Sequence, residues 1–382
     1  MSHFFRMSVF LLLLAASPAL ALSTSDCYDC HSDDTLTKMV RGQEVSLYVD
    51  EEVYTASVHG DMDCADCHED LWHVEDMHEE ELQAVDCGNC HDGAVEEVEA
   101  GDHMAECVDC HGKHDILQGV DSRSRIYDLN VPSTCCECHS EQESPDVCAA
   151  WEEGMHGIVL IKSGVIFSAV CNDCHGSHDI RGGDDPSSMV ARANINETCG
   201  SCHKGVLVTY NTSIHGMGFA EDKEGVPVCT SCHSPHLTER ALDAEFHLTV
   251  VERCSFCHEE WGYSFAKNYH GQVTGLGSAK VAQCPECHGA HNILPKEDQG
   301  SMVHPDNLIG TCGSCHPGAN ENFILYMPHA DYHDADQYPL LHYLYLAMVF
   351  LLSTVFLFFG IHTLLWFLRT FKIYRDRSGG DH

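Results

Sequence analysis

The string Cys-x-x-Cys-His recurs eleven times in this 382-residue chain. The cysteine pairs are Cys27 and Cys30, Cys64 and Cys67, Cys87 and Cys90, Cys107 and Cys110, Cys135 and Cys138, and Cys171 and Cys174. They continue with Cys199 and Cys202, Cys229 and Cys232, Cys254 and Cys257, Cys284 and Cys287, and Cys312 and Cys315. The closing histidines are His31, His68, His91, His111, His139, His175, His203, His233, His258, His288 and His316. Two thiols so spaced can bond the vinyl groups of one porphyrin while the adjacent imidazole binds its iron. Random placement of this composition would give roughly 0.1 copies. Zinc ribbons and redox dithiols also use Cys-x-x-Cys, but neither needs a histidine after every second cysteine. The pattern therefore points to eleven covalently attached haems c. It consumes 22 of 24 cysteines, which excludes a disulfide scaffold. Cys136 and Cys148 are left, either paired across a short loop or with Cys136 a bystander.

Six-coordinate irons would need eleven further ligands. Of 30 histidines, 19 lie outside the motifs, and setting aside His3, His362 and His382 leaves 16. Ten are nominated by position. His59, His103, His156, His215 and His270 open repeated segments, and His73, His114, His178, His236 and His291 follow the first motif of each. The eleventh would come from His78, His247, His304, His329, His333 or His342. Methionine is the other plausible ligand and raises haem potential; Met62, Met104, Met155 and Met217 sit beside candidates, although packing is their more ordinary role. Mostly bis-histidine, low-potential haems are expected.

These residues are set in a repeat. The motif at Cys27 stands alone, and from His59 the chain divides into five paired-haem units. Motif histidines within a unit lie 28 residues apart for His111 and His139, His175 and His203, and His288 and His316, 25 for His233 and His258, and 23 for His68 and His91. Asn130 to Thr134, Asn194 to Thr198 and Asn307 to Thr311 precede second motifs alike. After His156-Gly157, His215-Gly216 and His270-Gly271 about fourteen residues read as extended or turn-like, as from Ile158 to Val170. Only 8% of residues are aromatic, too few for a large conventional core, so the haems would supply it. The expected fold is mainly irregular with short α-helices, built from repeated two-haem units, plus one C-terminal transmembrane helix.

The formal charge of -39 would repel nucleic acid and steer toward basic partners. Residues 1–21 read as a signal peptide, with Arg6 before an apolar run and Pro18-Ala19-Leu20-Ala21 at the cleavage position. Residues 22–339 would be the haem domain, 340–368 the transmembrane helix and 369–382 a cytoplasmic tail. Arg369, Lys372, Arg375 and Arg377 follow the apolar stretch and Asp331, Asp334 and Asp336 precede it, which places the haems outside. His362, inside the helix, suits either a haem b or quinone site shared with a partner subunit or a polar packing contact. His342 stands at the outer interface, where it could take part in quinol deprotonation or ligate the last haem.

Ser57-Val58-His59-Gly60, Ser213-Ile214-His215-Gly216, Cys171 to His178 and Cys284 to His291 resemble multihaem cytochromes c. The resemblance extends to class III cytochromes, octahaem redox enzymes and membrane-anchored quinol-dehydrogenase cytochromes. It implies periplasmic haem attachment and supports His59, His215, His178 and His291 as distal ligands. In the quinol-dehydrogenase group the anchor is N-terminal, whereas here it is C-terminal. That layout looks more like a subunit of a membrane complex containing a cytochrome b, with the His316 haem nearest the membrane. The function expected is electron transfer, not catalysis, between the quinone pool or a b-type partner and periplasmic or extracellular acceptors, in anaerobic respiration. The alternative is an enzyme in which one open-site haem reduces a nitrogen or sulfur oxyanion.

Overall fold

The computed structural model describes residues 23–378, apart from 41, 73, 75–77, 79–81, 141–145 and 241–242, with the side chains of 376–378 also left aside. The expected signal peptide therefore lies outside the described residues, as do His73 and the end of the tail. The architecture is mostly helical and irregular. It divides into two compact parts, one of residues up to Cys199 together with Pro235–Thr238, the other of Gly200–Ser234 and the residues from Glu239 onward.

The first motif of each unit forms a single helical turn because an acceptor sits just before its second cysteine. In Cys107–His111 and Cys171–His175 the backbone N–H groups of Glu106 and Val170 donate to the carboxylates of Asp109 and Asp173, at 2.9 and 2.8 Å. Ser231 and Glu286 do the same for the helices Cys229–Cys232 and Cys284–His288. Helical spacing then sets both thiols and the histidine along one side of the turn. Gly112, Gly176 and Gly289 follow at φ 85°, 82° and 83°, a left-handed conformation that favours glycine. The chain turns back there, carrying the next histidine away from its own motif.

The opening segments differ from the extended expectation. Met155–Ser163, Ile214–Ala220 and Tyr269–Gly275 are helices; the β-branched Ile158, Val159 and Ile161 suggested otherwise, but burial of Leu160 overrides local preference. The His-Gly pairs have a packing reason. A side chain at Gly157, Gly216 or Gly271 would collide with the backbone carbonyl of Trp151, Tyr210 or Phe265.

Before second motifs a loop recurs three times. Asn130, Asn194 and Asn307 each donate to two carbonyls, and Thr134, Thr198 and Thr311 to one more. Buried Ser124, Ser188 and Ser301 close the same loop onto the carbonyls of Leu117, Arg181 and Leu294.

Conventional core is scant. Val131, Trp151, Leu160 and Val170 form one apolar cluster, and partly buried Cys135 and Cys171 pack against it. Cys136 and Cys148 are joined as a disulfide, which settles the choice left open above. A β-hairpin not foreseen in the sequence pairs β1 (Thr37–Val40) with β2 (Gln43–Ser46), with Thr37 opposite Ser46. The last helix, Pro339–Ser378, is 40 residues long and carries the basic residues beyond 368 as a continuation. Its stretch Pro339–Arg375 is long and apolar enough to cross a membrane, and none of it is buried.

Candidate functional site

Ten motif histidines each face a histidine from outside the motifs. In the N-terminal part the pairs are His31 with His78, His68 with His114, His91 with His59, His111 with His178, His139 with His103 and His175 with His236. In the C-terminal part they are His233 with His291, His258 with His215, His288 with His329 and His316 with His270. Ring centres lie between 5.9 Å, for His233 and His291, and 6.4 Å, for His68 and His114. Rings that far apart make no mutual hydrogen bond. Two metal–imidazole bonds of about 2.0–2.1 Å, with about 1.1 Å from each ring nitrogen to its ring centre, give a separation of about 6.2–6.4 Å. The gaps thus fit one six-coordinate iron apiece. Each pair supplies two ligands, which suits a haem iron, whose macrocycle would supply the other four.

Five repeated ties bring the outer histidines into place. The N–H groups of Val58, Asp102, Met155 and Ile214 donate to the carbonyls of Ile116, Ile180, Thr238 and Ile293, at 2.9, 2.9, 2.8 and 2.8 Å. Each donor directly precedes an opening histidine, and each acceptor lies two residues after His114, His178, His236 or His291. At the fifth place the side chain of Asn268 donates to Pro328, at 2.8 Å, beside His270 and His329. His114, His178, His236 and His291 consequently each face the first motif of the preceding unit, not their own.

Several rings are also oriented from behind. Nδ1 of His31 donates to the carbonyl of Leu47, at 2.7 Å, just past β2. Nδ1 of His178 meets Glu97, at 3.1 Å, and that of His329 meets the Ser264 hydroxyl, at 2.9 Å. Such contacts leave Nε2 for a metal. Burial lowers the affinity of His68, His111, His114, His215, His233, His270, His288, His291 and His329 for protons, favouring the neutral form that ligates.

Successive motifs touch. The thiols of Cys27 and Cys64, Cys87 and Cys107, Cys135 and Cys171, and Cys254 and Cys284 are in hydrogen-bonding contact. Groups attached through these sulfurs would be neighbours.

Sequence alone offered His78 and His329 only among six candidates for one position, and both face motif histidines. His156 opens its helix as His215 and His270 open theirs. The other candidates have different surroundings. His247 lies 3.9 Å from Glu286, Nδ1 of His304 accepts from the N–H of Asp306, His333 packs on Tyr332 and Tyr345, and His342 binds the Tyr332 carbonyl. Met104 is 96% exposed, unlike a ligand.

No protein-family model and no solved structure matches the chain. Over 195 residues it is 26% identical to the multiheme cytochrome MtrA of Shewanella baltica, covering 48% of this chain and 52% of that protein. The chain thus spans about half the length of this curated relative. The likeness is to a multihaem cytochrome, in keeping with the repeated Cys-x-x-Cys-His strings of this chain.

Proposed function

We propose that this chain is an electron conduit of eleven haems c, anchored in the cytoplasmic membrane by its C-terminal helix, with the haem region in the periplasm. The paired imidazoles carry this reading. Haem bound between two of them supplies one-electron exchange between ferric and ferrous iron. Facing histidines would hold a haem iron from both sides, which favours a carrier over an enzyme that must keep one position open for an oxyanion. The ties between opening and post-motif segments support five two-haem units, each tie presenting the outer ligands of one unit. Thiol contacts between successive motifs support transfer from neighbour to neighbour without a substrate pocket.

Asp331, Asp334 and Asp336 before the membrane-length helix, and Arg369, Lys372 and Arg375 after its apolar stretch, support the orientation. Electrons would enter from the quinone pool, directly or through a cytochrome b-type membrane subunit, and leave to exported redox proteins. A pyridine haemochrome assay with intact-mass measurement on the protein from membranes tests the count: eleven haems are expected, and a number far below that defeats the proposal. Carbon monoxide added to the reduced protein should bind almost none of them. A stoichiometric adduct would favour the enzyme.

A further inference from the structure

Beside the start of the membrane-length helix, side chains with titratable protons are gathered that the haem sites do not use. Nδ1 of His342 lies 2.9 Å from the backbone carbonyl of Tyr332. A carbonyl can only accept, so Nδ1 carries a proton, and in the neutral ring it is Nε2 that has the free electron pair. One turn further on, Tyr345 packs against Tyr332 and His333, with ring centres 4.5 and 5.3 Å apart. Asp334 fixes this loop by accepting from the N–H groups of Asp336 and Gln337, both at 2.9 Å. Three residues upstream of Tyr332 stands His329, opposite His288, so chain length alone keeps the Cα atoms of Tyr332 and His329 within about 11 Å. A basic nitrogen, a membrane surface and a haem ligand therefore meet in one short segment.

We infer that this segment is a quinol-oxidation site in which His342 Nε2 is the proton acceptor. The inference rests on the reading of the chain as fed from the quinone pool. Oxidation breaks both O–H bonds of the quinol and leaves a quinone. One proton passes to Nε2 of His342 and the other to water at the exposed face of the loop. The two electrons would pass to two ferric haems, making them ferrous, the first being the one that His288 and His329 would hold, not that of His316.

The test uses full-length haem-loaded protein in membranes, reduced by 2,3-dimethyl-1,4-naphthoquinol and followed by haem absorbance. His342→Gln keeps an N–H for the Tyr332 carbonyl but has no basic nitrogen. Its quinol-driven rate should fall about tenfold or more, while haem content and reduction by dithionite stay unchanged. An undiminished rate overturns the assignment of His342 and leaves the quinone-fed reading standing. Failure of the unaltered protein to accept electrons from the naphthoquinol, while dithionite reduces it fully, overturns direct entry of quinol electrons and the inference with it, and leaves only the route through a b-type partner. Should H342Q lose haem, an azido-naphthoquinone photolabel on the unaltered protein decides. Label between Tyr332 and Tyr345 is expected, and label confined elsewhere overturns the site.

Discussion

The N–H of Ile214 donates to the carbonyl of Ile293 at 2.8 Å, and this one bond sets His215 and His291 side by side although 76 residues separate them in the chain. His215 faces His258 and His291 faces His233, so two prospective irons depend on a single backbone contact. The same relation recurs from Val58 to Ile116, Asp102 to Ile180 and Met155 to Thr238.

The last tie is the most accessible to mutation because it uses a side chain. Asn268 donates to Pro328 and also accepts from the N–H of Gly271 at the helix start. Asn268→Ala removes both bonds and should cost about 1–2 kcal/mol. The damage should be local. Electron paramagnetic resonance should show new high-spin signal from no more than two haems, those of His288 and His316, with the rest unchanged.

Ligand assignments can be checked singly. His329→Ala should convert one low-spin haem into a high-spin one that binds one equivalent of carbon monoxide when reduced. His304→Ala should create no such site, because His304 only braces its own turn. An equal carbon monoxide response from both variants would refute the pairing of His288 with His329.

That His78 and His329 carry less signal in the sequence than the other outer histidines is a matter of periodicity. Cys-x-x-Cys-His, His-Gly and the Asn to Thr segment are legible because each repeats at a fixed offset and answers one local need: a helical turn, a close backbone approach, a closed loop. His329 lies beyond the last motif, where no further unit follows, and His78 stands ten residues after His68 where His114, His178, His236 and His291 stand three after theirs, so no fixed offset marks either. The helix at Met155–Ser163 was hidden by its β-branched residues, and the hairpin by its brevity. Also unread was an aspartate three residues before each buried serine of the loop: Asp121, Asp185 and Asp298 each accept from the N–H two residues on.

That aspartate makes two of the loops acid-sensitive. The Arg123 side chain, then its backbone N–H, hold the Asp121 carboxyl down to about 2. Asp185 is lowered by the N–H of Ser187 and then by Arg181. A carboxyl lowered in the folded state contributes stability that is present above the ordinary carboxylate range and is lost as pH falls through the folded value. Both groups are exposed, so the effect is small. Asp121→Asn keeps the turn's acceptor and removes only the charge. Its melting temperature should lie about 1–2 °C below that of the unaltered protein at neutral pH, and the gap should close between about pH 4 and pH 2.

Glu97 should distinguish one haem from the others. It meets Nδ1 of His178 at 3.1 Å, and His178 faces His111, whereas the corresponding nitrogens of His31 and His329 meet a neutral carbonyl and a neutral hydroxyl. A carboxylate behind an imidazole makes it a stronger donor and stabilises ferric over ferrous iron. Reduction of this site should therefore need a lower potential than reduction of its bis-histidine neighbours. Glu97→Gln replaces the negative acceptor by a neutral amide of the same shape. Redox titration should show a single midpoint moving upward by tens of millivolts, with haem count and low-spin spectrum unchanged. A downward move, or none, would mean that the carboxylate is satisfied by water when haem is bound and leaves His178 untouched.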